Sequence, residues 1–122
     1  LVGSVEHDQI PGLLRKMDVA VAPYPVLGHF YFSPIKLFEY MASEVPIVAS
    51  NVPSLREILT DEAAFFFDPD DEASLANTIG GVLEKGQTAS KKAHFAYTQV
   101  HGYTWASRAG SIAAFLRTHV VL

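Results

Sequence analysis

The chain has 122 residues, 49 % of them hydrophobic, and 13 acidic against 9 basic side chains give a formal net charge of −4. That length and apolar content suit one globular domain with a sizeable core, so residues 1–122 are read as a single unit. The acid excess and the lack of any Lys/Arg cluster argue against a nucleic-acid partner and against anionic membrane surfaces, and a chain without cysteine has neither disulfides nor thiolate metal sites.

Apolar runs are only a few residues long, and the opening "LVGSVEHDQIPG" lacks the basic flank and apolar centre of a signal peptide. A cytoplasmic location is the expectation, and other modes of membrane association stay open. The first residue, Leu1, is not Met and falls inside a strand-like run, which reads as a chain that begins partway through a longer protein.

In chain order, "LVGSV" (1–5) predicts a short strand, and Ile10, Leu13, Leu14 and Met17 recur at helical spacing after Asp8 as N-cap. "VAVAP" (19–23) is a continuous apolar run stopped by Pro23 and Pro25, the pattern of a strand buried on both faces of a parallel sheet. A helix follows over 34–43, then a strand in "PIVAS" (46–50), a short helix in "SLREIL" (54–59) and a third strand in "AAFFF" (63–67), ended by "DPDD". Leu75, Ile79, Val82 and Leu83 mark a helix over 71–84, weakened by Gly80 and Gly81. A weakly amphipathic helix covers 90–100. Thr104 caps a last helix that places Trp105, Ala109, Ile112, Ala113, Leu116 and Val120 on one face, with Trp105 as a core anchor. Strands alternating with helices predict an α/β fold, a parallel sheet flanked by helices on both faces, whose ligands lie beyond the carboxyl ends of the strands. Residues 23–36 fall at that edge.

The helix at 34–43 carries the most chemistry. Lys36, Glu39, Tyr40 and Ser43 share the i, i+3, i+4, i+7 face, while Ile35, Phe38, Met41 and Ala42 are expected to turn toward the sheet. Pro34 suits the first helical turn and Ser33 its N-cap. Lys36 then sits against the positive end of the helix dipole, beside free backbone N–H groups, a conflict that a bound phosphate would resolve. Glu39 lies one turn deeper, about 4.5 Å along the axis, where a carboxylate can accept from two neighbouring hydroxyls, as on a ribose. The alternative is an exposed Lys36–Glu39 ion pair worth at most about 0.5 kcal/mol. The preceding loop, "PYPVLGHFYF", is rich in Pro, Gly and aromatics, as binding loops are, and within it His29 is a candidate contact.

The segments "MDVAVAPYP", "SPIKLFEYMASEVPIVAS", "LREIL", "AAFFFDPDDEASLANTI" and "YTWASRA" together resemble the C-terminal, donor-binding domain of retaining glycosyltransferases of group 1, which have two Rossmann-like domains in the GT-B arrangement. The resemblance implies a Rossmann-like nucleotide-sugar-binding domain truncated at its N-terminus. Glu39, before "YMA", takes the place of the family's second glutamate, which binds the ribose of a nucleoside diphosphate sugar. Tyr31 stands where the first glutamate would touch the donor sugar, so that carboxylate contact does not carry over. Pro34 replaces the glycine that opens the helix, leaving the N–H groups of Ile35 and Lys36 as backbone donors, with Lys36 assisting the diphosphate. Val5 resembles the position that holds the nucleobase through backbone groups and reads equally as strand core.

Other motifs carry less. Asp68, Pro69 and Asp70 imitate paired metal-binding aspartates but also form an ordinary turn with an acidic helix start, and the turn is preferred. The histidines show no ligand spacing, and no dinucleotide fingerprint or P-loop occurs. The expectation is therefore the donor-binding part of a glycosyltransferase that moves a sugar from a nucleoside diphosphate sugar to a glycan or lipid acceptor, without metal or other cofactor. No catalytic residue is assigned within the chain. Its partners are the nucleotide-sugar donor and an N-terminal acceptor domain upstream of Leu1, and the chain alone is not expected to turn over. A non-catalytic nucleotide-binding or interaction domain of the same fold is the alternative. In the family order two strands would separate the strand at 1–5 from that at 19–22. The expected remedies for the gap are self-association through the open edge, then direct pairing of those two strands, then an edge left in solvent.

Overall fold

The computed structural model describes residues 3–28 and 34–120. A 3₁₀ turn at His7–Gln9 leads into helix α1 (Ile10–Leu14), and strand β1 (Ala20–Ala22) follows. Helix α2 (Ile35–Ala42), strand β2 (Ile47–Ser50), helix α3 (Pro53–Arg56) and strand β3 (Phe65–Phe67) complete the sheet region. Helices α4 (Glu72–Glu84), α5 (Gly86–Val100) and α6 (Trp105–His119) finish the chain. The three strands are parallel in the order β1-β2-β3, with Ala20 opposite Ile47, Ala22 opposite Ala49, and Ala49 opposite Phe66.

Every residue of β2 is buried, as a central parallel strand covered on both faces requires. Side chains alternate across it. Ile47 and Ala49 join Ala22 of β1, Leu37 and Met41 of α2, Leu55 of α3 and Ala96 of α5 in one cluster, while Val48 joins Phe67, Val82 of α4 and Ala89 of α5 in a second. Ala89, Ala93 and Ala96 recur along one stripe of α5, and these small side chains let α5 pack closely against both α2 and α4.

Several expectations need correction. Residues 3–5 form no strand, so they do not pair with β1, and the outer edge of β1 has no partner among the described residues. The first helical stretch opens at Glu6 rather than Asp8: the Glu6 N–H donates to Gln9 Oε1 at 3.3 Å. Helix α5 begins at Gly86, earlier than its periodicity indicated, because Lys85 ends α4 and starts α5 without an intervening loop. Thr104 caps α6 as expected, with Ser107 N–H donating to its Oγ1 at 3.1 Å, yet α6 buries no side chain and Trp105 is 90 % exposed. An apolar stripe states that a helix can be covered; it does not state by what.

Lys92 on α5 fastens the turn before β3. Its ammonium donates to the carbonyl oxygens of Asp61 and, at 3.0 Å, Ala64, and lies 4.5 Å from the centre of the Phe65 ring. Burial pushes its pKa below the ordinary 10.5. Replacing Lys92 with Met keeps the stem and removes the donors, so the expected cost is about 1 kcal/mol and a few degrees of Tm by thermal denaturation. The folded state holds this proton less tightly than the unfolded chain, so charging Lys92 carries a desolvation cost that is present in full below the folded pKa and is relieved as pH rises from there to 10.5. The Met variant should lack that pH dependence.

Candidate functional site

The carboxyl ends of β1 and β2 and the start of α2 form one edge of the sheet, the position at which parallel α/β folds hold ligands. Pro34 occupies the cap position of α2, with φ −82° and ψ 64°, and helical geometry begins at Ile35. The Leu37 N–H donates to Pro34 O at 2.9 Å, whereas those of Ile35 and Lys36 have no acceptor among the described residues. Two backbone donors therefore stand at the positive end of the helix dipole.

The Lys36 ammonium lies 4.6 Å from the centre of the Tyr24 ring, which comes from the loop after β1. Its charge is thus held at the helix start by a cation–π contact. Lys36 and Glu39 do not pair: the ion pairs among the described residues are Arg56–Asp61 and His94–Glu44. Glu39 is half-buried, and its carboxylate makes no hydrogen bond within the described residues. Beside it, Tyr40 is half-buried in the shell of the core cluster. Burial raises its phenol pKa above the usual 10.0, Lys36 pulls it back, and the Tyr24 and Glu39 charges add to the rise. Tyr40 is therefore a neutral phenol at physiological pH.

The face of α2 differs from the sequence reading. Ile35 is 65 % exposed and Ala42 is exposed, while Leu37 and Met41 are fully buried and Ser43 is buried. The inward stripe is Pro34, Leu37, Phe38 and Met41, at i, i+3, i+4 and i+7. Ile35 keeps a role only through its backbone N–H. Val5 lies half-buried in the segment before the 3₁₀ turn, outside any strand, so the strand-core reading of it falls. Tyr31, Ser33 and His29 lie outside the described residues.

Sequence reasoning gave Tyr24 and Ser50 no role and read Asp70 only as part of a turn. Tyr24 and Ser50 line an open cleft of about 360 Å³ together with Asp70, Asp71 and Glu72. A second cleft, about 340 Å³, lies across Pro25 and is lined by residues 25–28 and 51–54 and by Glu57. Neither includes Lys36 or Glu39, so the anion-binding geometry belongs to the helix terminus rather than to an enclosed cavity. The one legible signal was the pair of prolines around Tyr24, which stiffens that loop. The Asp68–Asp71 segment is the preferred turn: Asp71 caps α4 by accepting from Ser74 N–H at 2.9 Å, and the described residues hold no cluster suited to a metal ion.

The chain is 32 % identical over 105 residues to a phosphatidyl-myo-inositol mannosyltransferase of Mycolicibacterium smegmatis, covering 85 % of this chain and 26 % of that protein. Its fold matches sucrose-phosphate synthase from Thermosynechococcus elongatus with a TM-score of 0.79 at 24 % identity, over 96 % of this chain and 29 % of the other. It also matches Anabaena HepE in complex with UDP, with a TM-score of 0.73 at 24 % identity, over 93 % and 30 % of the two chains. The chain thus spans between a quarter and a third of the length of these proteins. The α/β fold is that of GT-B glycosyltransferase domains. The family model described as glycosyl transferases group 1 matches residues 1–85, through both the β1–α2 edge and β3, and the chain belongs to that family.

Proposed function

We propose that this chain binds the nucleoside diphosphate of a nucleotide-sugar donor at the start of α2, as the donor-binding part of a retaining glycosyltransferase that transfers the sugar to a glycan or lipid acceptor. The observation that carries the reading is the trio at one helix terminus: the N–H groups of Ile35 and Lys36, which have no acceptor among the described residues, the Lys36 ammonium held over Tyr24, and, one turn deeper, a Glu39 carboxylate with no partner among the described residues. Transfer of a glycosyl group leaves negative charge on the departing diphosphate. Backbone donors and a cation already aimed at that position stabilise it without reorganising during the reaction. Glu39 accepts from the ribose hydroxyls and sets the distance between ribose and phosphate. Such charge stabilisation needs no metal ion. HepE was solved with UDP and also with UDP-glucose, which supports a uridine nucleotide as the first ligand to try. The acceptor site and the remaining diphosphate contacts belong, in this reading, to an N-terminal domain.

Replacing Glu39 with Gln should weaken UDP binding about tenfold or more in calorimetric titration of the full-length protein, because a charged acceptor is worth more than a neutral one to a hydroxyl pair. Unchanged affinity with an intact fold would remove Glu39 from the ribose site. Crystals grown in phosphate or sulfate should show the anion on the N–H groups of Ile35 and Lys36; density elsewhere alone would contradict the anion site. The outer edge of β1, which has no partner among the described residues, is further expected to drive self-association. Light scattering should then report a mass that rises with concentration, and a monomer across the accessible range would remove that expectation.

A further inference from the structure

The segment leaving β1 reads Pro23-Tyr24-Pro25-Val26. Proline has no N–H, so Tyr24 and Val26 own the only two backbone donors in these four residues. Both are taken by side chains from the carboxyl ends of the other strands. The Tyr24 N–H donates to Ser50 Oγ at 2.7 Å, and the Val26 N–H donates to a carboxylate oxygen of Asp70 at 3.3 Å. Ser50 is fully buried and also sends its own hydroxyl proton toward Ala22 O at 3.4 Å, so it extends the β1–β2 ladder beyond its last backbone pair. Asp70 reaches Val26 from a backbone at φ 61°, a left-handed conformation that side-chain-bearing residues seldom adopt.

We propose that Ser50 and Asp70 are positioning residues: a two-point clamp that fixes the Tyr24 ring beneath the Lys36 ammonium and so holds the cation at the anion-binding start of α2. This inference rests on the donor-site reading above. The two prolines restrict φ on either side of Tyr24, and the clamp adds two fixed points that tie the backbone of this loop to the ends of the other strands. The left-handed backbone at Asp70 has the same explanation, since glycine would suit that φ better but offers no acceptor. The aspartate is retained for its carboxylate.

The test uses Asp70→Gly, Asp70→Asn and Ser50→Ala in the full-length protein, with three measurements: thermal unfolding, amide exchange at Tyr24 and Val26, and titration with UDP. Asp70→Gly relieves the left-handed backbone and removes the acceptor. Its Tm should hold or rise while Val26 exchanges faster and UDP affinity falls about three- to tenfold. Asp70→Asn keeps an acceptor oxygen and a side chain tolerant of that φ, and should recover most of the affinity. Ser50→Ala should accelerate exchange at Tyr24 and weaken UDP by a similar factor. Should Ser50→Ala fail to fold, the Asp70 pair decides alone, because its stability and affinity effects point in opposite directions. Unchanged exchange at Val26 in Asp70→Gly overturns the clamp, and faster exchange with unchanged UDP affinity overturns its positioning role. A wild-type protein that binds no UDP overturns the donor-site reading and the use made of the clamp, while the exchange rates still decide whether the clamp exists.

Discussion

Parallel pairing on both sides of β2 is the constraint from which the other features descend. A strand covered on both faces must satisfy its backbone through its neighbours, because water cannot reach it, and an unpaired buried N–H or carbonyl costs on the order of 1–3 kcal/mol. β2 meets that demand with β1 on one side and β3 on the other, and its four residues are all buried. Parallel strands need crossovers, and those crossovers are α2, running between β1 and β2, and the α3 segment between β2 and β3. The same pairing places the carboxyl ends of all three strands at one edge. Residues far apart in the chain, Tyr24, Ser50 and Asp70, meet there.

At that edge the helix start of α2 joins two opposed electrostatic demands. The dipole repels a cation at Lys36, yet the π face of Tyr24 holds the ammonium, and among the described residues no carboxylate pairs with it. Glu39 is likewise left without a partner among the described residues. A folded protein that only sought stability would have paired these two side chains, which lie three positions apart on one helix face. In the function proposed above, this unpaired arrangement leaves a positive and a negative group for a ligand that carries phosphate and hydroxyls. Arg56 shows the contrast. It is bonded to Asn51 and to Asp61 at 2.8 Å each and lies 3.5 Å from the centre of the Phe66 ring, so its capacity is spent on the fold.

Where the sequence reading of an element went astray, the cause lay in partners distant along the chain. The pattern of α2 allowed two inward stripes one residue apart; Ala96 of α5 and the β2 side chains select the one containing Leu37 and Met41. The apolar stripe of α6 is present, with Ile112 and Leu116 half-exposed, but no described element packs over it. Residues 3–5, the described part of the strand expected at 1–5, pair with no strand. Strand identity belongs to a pair of segments, whereas composition belongs to one.

The sequence by itself determined the alternation of buried strands and helices, the start of α2 to within one residue of Pro34, the Thr104 cap, and the places of Lys36 and Glu39 on α2. These follow from short-range chemistry: the missing proline N–H, the hydroxyl that caps a helix, and apolar runs too continuous to face water. Only the tertiary structure decided that Lys36 rests on Tyr24 rather than pairing with Glu39, that Ser50 and Asp70 bond the two N–H groups of the proline-flanked loop, and which stripe of α2 faces inward. Those contacts span up to 44 positions in the chain, as between Val26 and Asp70. Their physical origin is the register of parallel strands, which aligns the strand ends in space and has no signature in the local spacing of residues.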